Sequence, residues 1–146
     1  MKKDSGFTVI ELIVVIIILM VSAFLFSTQK QNLEASMRDN KRKVDINTIH
    51  HNLEKVYFAK NKSYPRELNE GTLPAVQPDT FKDPNGIAIN ESRQGLLGET
   101  PSDYKYEAKG CNQETGACKS YTLHTNLELE ADYTKKSTNK IGRAHV

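Results

Sequence analysis

Three stretches of the chain differ in hydrophobic period. From Phe7 to Phe26 there is no period: seventeen of twenty positions are apolar, interrupted only by Thr8, Glu11 and Ser22, with no glycine or proline. A run of that length matches a helix crossing a bilayer. Beyond it the apolar positions Leu33, Met37, Ile46, Ile49, Leu53, Val56 and Tyr57 fall on a helical repeat, which predicts an amphipathic helix with that face on a sheet. Lys41, Arg42, Lys43, Asp45, Asn47, Asn52 and Lys55 are expected to form its solvated side. Because no glycine or proline occurs from Phe7 to Asn61, one helix over that span is expected, roughly 80 Å long at the standard rise. Pro65 disfavours helical backbone at Tyr64, and Asn61 tolerates a left-handed cap, so the helix should end there.

The next stretch is punctuated rather than periodic. Pro74, Pro78, Pro84 and Pro101, with Gly86, Gly95 and Gly98, predict loop from Gly71 to Ser102. Within it a turn is expected at Asp83-Pro84-Asn85-Gly86 and one short strand at Ile87–Ile89, with a further turn at Glu67–Glu70 before it. Strict alternation then appears twice. Tyr104, Tyr106 and Ala108 alternate with Lys105, Glu107 and Lys109, and Tyr121, Leu123, Thr125 and Leu127 alternate with Thr122, His124 and Asn126. These read as the two strands of a hairpin turning between Gly110 and Gly116. The fold class is therefore α+β: a long N-terminal helix, its first half membrane-spanning, packed on a small antiparallel sheet.

Energetics favour insertion despite the acid in the run. Fifteen of its residues are Leu, Ile, Val or Phe, each worth roughly −0.3 to −0.6 kcal/mol on the insertion scale, against about +3 kcal/mol for one central carboxylate and less near an end. Nine are Val or Ile, strand formers in water, but in lipid a lone segment satisfies its backbone only as a helix. Lys2 and Lys3 precede the run, so the N-terminus should stay in the cytoplasm and the rest be exported. A cleaved secretory signal would have a shorter apolar core and a small-residue cleavage site; here Phe24-Leu25-Phe26 continues where cleavage would fall.

Charge and candidate chemistry alter little. The net charge of +2 does not argue for nucleic acid, and Lys41-Arg42-Lys43, flanked by Asp39 and Asp45, reads as ordinary surface rather than a phosphate-binding patch. His50 and His51 point about 100° apart on a helix and lack a further ligand at metal spacing. Glu128-Leu129-Glu130-Ala131-Asp132 reads as a solvated edge. Cys111 and Cys118 flank a six-residue loop in the predicted hairpin turn. In an exported compartment a disulfide is expected, worth about 2.5 kcal/mol by loop entropy, with free thiols or half of a zinc site as the alternatives. No nucleophile elbow, phosphate loop or metal spacing is present; no enzyme activity and no cofactor are expected.

Gly6-Phe7-Thr8-Val9-Ile10-Glu11, followed by the apolar run, resembles the N-terminal signature of type IV pilins and type II secretion pseudopilins. The resemblance covers about the first twenty-six residues. It implies that a prepilin peptidase cuts between Gly6 and Phe7 and methylates the new Phe7 amine. It also implies that Glu11 pairs with a neighbouring subunit's amine and sets register as a helix enters a filament. The physical logic is that an ammonium at the edge of a hydrophobic bundle requires an opposite charge. Many family members have a proline where this chain has Thr28, so this helix should be harder to break in its middle. In the family the loop region wraps the helix to the sheet, and a C-terminal disulfide loop is common.

The resulting expectation is a prepilin with a cytoplasmic leader at 1–6, a transmembrane helix at 7–26, an exported continuation of the helix at 27–62, and the loop and sheet of a globular head at 63–139. Its partners would be the prepilin peptidase, other pilin or pseudopilin subunits, the inner membrane and an assembly platform protein, with no nucleic acid. Before assembly it would sit in the inner membrane with its head exported, and afterwards in a pilus at the cell surface or a pseudopilus in the periplasm. The alternative is a single-pass anchored binding domain that does not polymerise. Lys140 to Val146 can be back-translated as AAG ATC GGA AGA GCA CAC GTC, the start of a widely used sequencing adapter; the natural coding sequence is therefore expected to be lost near Asn139.

Overall fold

The computed structural model describes residues 8–138. Gly6 and Phe7, and the segment 140–146, lie outside the described residues.

Helix α1 runs from Val9 to Asn52 without interruption at Thr28. A single π-helical turn, Leu53–Tyr57, joins it to the short α2, Phe58–Asn61. The helix stops where proline and turn chemistry require, but the left-handed residue is Lys62 (φ 54°), not Asn61. Its amide donates to the Phe58 carbonyl at 2.9 Å, so the last turn is closed by backbone alone. Within the first unit of the chain, which ends at Met37, the large apolar side chains of α1 from Val9 on are solvent-exposed, among them Ile13, Ile16, Leu19 and Phe24. By length and composition this helix can cross a membrane. Its polar side chains look after themselves: Ser22, Ser27 and Thr28 donate to the carbonyls of Ile18, Ala23 and Leu25 at 2.7–2.9 Å, leaving none of these hydroxyls unsatisfied in an apolar medium.

The second unit, from Arg38 onward, is α+β. Strands β1 (Ser92–Gly95) and β2 (Gly98–Pro101) form a separate hairpin. Strands β3 (Tyr104–Lys109), β4 (Ser120–Thr125) and β5 (Tyr133–Lys136) form an antiparallel sheet with β4 in the middle. Tyr106 lies opposite Leu123, and Ala108 opposite Tyr121, so the inward rows predicted from alternation meet on one face. Against them pack Ile46, Ile49 and Leu53 of the helix, and Tyr64, Leu68, Leu73, Val76, Phe81 and Ile89 of the intervening loop. The centre is aromatic: Tyr64 meets Tyr121 edge-on at 4.8 Å between ring centroids, with Phe58 stacked on Tyr64 at 5.1 Å.

The long loop is ordered by side chains that replace backbone partners. Asp83 is buried, and its carboxylate accepts the amides of Asn85, Ile87 and Asp103 at 2.9–3.0 Å. That fixes the expected turn, which Gly86 closes at φ 74° with its amide on the Asp83 carbonyl. Ile87–Ile89 forms an isolated bridge through Ala88 to Lys82 rather than a strand. On the free edge of β3, the Asn90 side-chain amide both donates to the Tyr106 carbonyl and accepts its amide, each at 2.8 Å, as a paired strand would.

Two expectations about the helix are corrected. Leu33, Met37 and Val56, expected on the buried face, are at least half exposed. Arg42 and Asp45, assigned to the solvated side, are buried together with Asp39. From residue 39 the buried stripe is Asp39, Arg42, Asp45, Ile46, Ile49, Leu53 and Glu54, at the steps of three and four that a helix requires. The stripe is displaced around the helix from the one that hydrophobicity alone selects.

Candidate assembly site

Glu11 sits in the first turn of α1, an acidic position that favours the helix start. Thr8 precedes the helix and initiates it: its carbonyl accepts the Leu12 amide at 3.1 Å and its hydroxyl caps the Glu11 amide at 3.4 Å. The Glu11 side chain is exposed on a segment whose neighbours Val9, Ile10, Leu12 and Ile13 are exposed apolar residues. A lone carboxylate on such a surface can accept hydrogen bonds and can offset one positive charge brought beside it. The remaining residues of the predicted processing site, Gly6 and Phe7, are outside the described residues.

In the head, the residues that sequence reading treated as surface form a buried polar seam between helix and C-terminal segment. Arg42 donates to Asp39 and Asp103 at 2.9 Å and to Glu128 at 2.8 Å. Arg38 forms a two-pronged pair with the same Glu128 at 2.6 and 2.8 Å. Asp39 in turn accepts the amides of Glu128 and Leu129, each at 2.9 Å in its shorter contact. Lys43 reaches Glu130 at 2.7 Å, and Lys41 reaches Asp45 at 2.6 Å, where Asp45 also accepts the Tyr104 hydroxyl at 2.7 Å. The Lys41-Arg42-Lys43 triplet is thus taken up in internal ion pairs, as is most of the acidic Glu128–Asp132 segment.

The electrostatics follow the geometry. Hydrogen bonds from Arg38 and Arg42 hold the Glu128 carboxyl down at about 2. Burial pushes Asp39 upward, but the two backbone amides and Arg42 outweigh it and keep it below the usual carboxylate value. Burial of Arg42 opposes its charge, and its acidic partners more than restore it.

A second polar cluster sits at the π-helical turn. There Glu54 points inward and accepts the hydroxyls of Tyr64 and Tyr121, each at 3.0 Å, as well as the amide and hydroxyl of Thr138. Burial raises its pKa and these four donors lower it further than burial raises it. His50 Nδ1 lies 2.6 Å from the same Tyr121 hydroxyl, and burial lowers its pKa despite the nearby Glu54 charge. His50 therefore packs, while His51 is exposed; no group of three metal-binding side chains occurs among the described residues. Sequence reading missed Glu54 and the Asp39–Arg42 pair. The available signal was phase: each lies three or four residues from another position of the buried stripe.

Cys111 and Cys118 are joined in a disulfide that closes the β3–β4 turn. Cys118 is also the point where the chain leaving the helix is tied to the sheet, since its amide and carbonyl exchange 2.9 Å hydrogen bonds with Tyr64.

The family model for the prokaryotic N-terminal methylation motif matches residues 1–26, the signature shared by type IV pilins and pseudopilins. No curated protein and no solved structure is matched by the chain.

Proposed function

We propose that this chain is a structural subunit, a prepilin, that is processed at its N-terminus and polymerised into a type IV pilus or a type II secretion pseudopilus. The observation that carries the reading is the methylation motif over residues 1–26, with Glu11 as the one acid in an exposed apolar run. In this reading residues 1–6 are the cytoplasmic leader and 7–26 the transmembrane helix; 27–62 continue it outside the membrane, and 63–139 complete the head.

Peptidase cleavage between Gly6 and Phe7 creates a new ammonium at the membrane edge, and methylation of Phe7 leaves its charge in place. When the subunit leaves the membrane for a filament, that ammonium enters an apolar bundle. Glu11 of an adjacent subunit supplies the opposite charge there, since either charge buried alone costs several kcal/mol. The pair selects one axial register. The subunit begins in the inner membrane with its head exported and ends in a filament on the outer side of that membrane. Its partners are the peptidase, further subunits and the machinery that extracts them.

The test is to express the full chain with and without an active prepilin peptidase and to determine the N-terminus by mass spectrometry. The expected product lacks residues 1–6 and carries one methyl group on Phe7. A chain that still begins at Met1 beside active peptidase overturns the reading.

A further inference from the structure

The β1–β2 hairpin buries none of its strand side chains: all eight residues from Ser92 to Gly95 and Gly98 to Pro101 are exposed. Its tip is Leu96-Leu97, at 107% and 105% of full exposure. Single exposed leucines are ordinary, but two adjacent ones at the end of a hairpin form a knob with no covering among the described residues. The knob is held in shape. Gly95 pairs with Gly98, Gly98 has φ 119°, Ser92 hydrogen-bonds Glu99 across the strands, and Arg93 donates to the Gly86 carbonyl at 3.1 Å.

The same unit carries an open groove of about 400 Å³ between the end of the helix and the Gly71–Ala75 loop. Val56 and Lys60 line one side, Leu73, Pro74 and Ala75 the other, and no residue of the β1–β2 hairpin lines it. This volume lies toward the small end of ordinary binding pockets, roughly 300–1,000 Å³, and accommodates two isobutyl groups. Its rim and the hairpin also match in charge: Lys60 lies at the groove, and Glu99 follows Leu97 by two residues.

We propose that Leu96 and Leu97 of one copy seat in the Val56–Pro74–Ala75 groove of a second copy, with Glu99 of the first beside Lys60 of the second. Knob and groove are different surfaces, so each copy can donate one and accept another. Such a contact is heterologous and lets copies add head to tail, into an open chain where the rotation between them does not close. It deepens the polymerisation reading and rests on it for its filament setting, while docking itself is measurable without filaments.

The test uses the full chain in membranes and, after peptidase processing, in sheared filaments. A Leu97→Cys copy is co-expressed with an Ala75→Cys copy, oxidised mildly and run without reductant. The control partner is Glu107→Cys, an exposed position on β3 away from the groove. The expected result is a heterodimer at least ten-fold above that given by Leu97→Cys with Glu107→Cys, and a ladder of higher species when Leu97→Cys and Ala75→Cys are in one chain. Lys60→Glu or Glu99→Lys should each lower the yield about five-fold, and the two combined should restore it. Filaments that form without the Leu97–Ala75 adduct overturn this contact and leave the polymerisation reading standing. Adduct formed in membranes by a chain that is never cleaved or assembled supports the contact and counts against that reading. A polarity-sensitive dye on Leu97→Cys that is quenched by spin-labelled lipid means that the knob inserts in lipid, which also overturns the proposal.

Discussion

Arg42 is 4% exposed and touches three carboxylates. Removing it leaves Asp39, which is itself buried, and two partly shielded acids without their common cation. Breaking a buried pair in this way costs about 3–5 kcal/mol, so Arg42→Ala should strongly lower the thermal unfolding midpoint of the head, followed by circular dichroism on the full chain in detergent. Arg38→Ala, whose side chain is 40% exposed, should lower it far less; equal shifts would refute the central place of Arg42. Acid should act on the same seam. Glu128 and Asp39 are depressed below their ordinary values of 4.5 and 3.8, so the unfolded chain takes up protons first. Their contribution is complete above about pH 4.5 and is lost as pH falls toward about 2. His50, depressed from 6.5, acts in the same direction from higher pH. Stability should therefore decline with acidification, and Glu128→Gln should flatten the acid part of that profile. None of this was legible at the level of residue class, because a charged residue is assumed to face water. Arg42 and Asp39 are buried because each offsets the other's charge, while the Glu128 and Leu129 amides donate to Asp39 and the Asp103 and Glu128 carboxylates accept from Arg42.

At the scale of elements, the parts that bury an alternating row announced themselves and the others did not. Strands β3 and β4 are legible from Tyr104, Tyr106, Tyr121 and Leu123, all of which are buried. Strand β5 is not, because its inward residues Tyr133 and Lys135 are only partly covered and Lys135 is a cation. The β1–β2 hairpin buries nothing, so no alternation was needed to build it. The π-helical turn is invisible to a pattern based on 3.6 residues, yet it is what aims Glu54 at Tyr64 and Tyr121. Glu54→Ala should remove the acceptor shared by the Tyr64 and Tyr121 hydroxyls and lower head stability by about 1–3 kcal/mol, read by chemical denaturation; an unchanged midpoint would mean that other groups, His50 among them for Tyr121, take over. The disulfide closes the short loop from Cys111 to Cys118, and loop entropy assigns it about 2.5 kcal/mol. The double change Cys111→Ser, Cys118→Ser should lower stability by that order while leaving membrane insertion intact. A loss well beyond it would place the energy in the adjoining Tyr64–Cys118 bridge rather than in the chain restraint.

For the whole molecule, the decisive residue is one that adds little to the stability of its own chain. Glu11 lies on an exposed apolar surface, and insertion would be easier without it, by up to about 3 kcal/mol at the bilayer centre and less near an end. In the proposed filament its presence is accounted for by a charge that arrives from outside the chain. Glu11→Ala should therefore leave membrane insertion, cleavage after Gly6 and head stability unchanged, measured by carbonate extraction, mass spectrometry and thermal unfolding. Sheared filament yield should fall at least ten-fold, because each incoming Phe7 ammonium would be buried unpaired. Glu11→Gln, which keeps the shape and a hydrogen-bond acceptor but no charge, should resemble Glu11→Ala, whereas Glu11→Asp should retain part of the yield. Normal filaments from Glu11→Gln would show that shape, not charge, sets the register, and the pairing role would have to be abandoned.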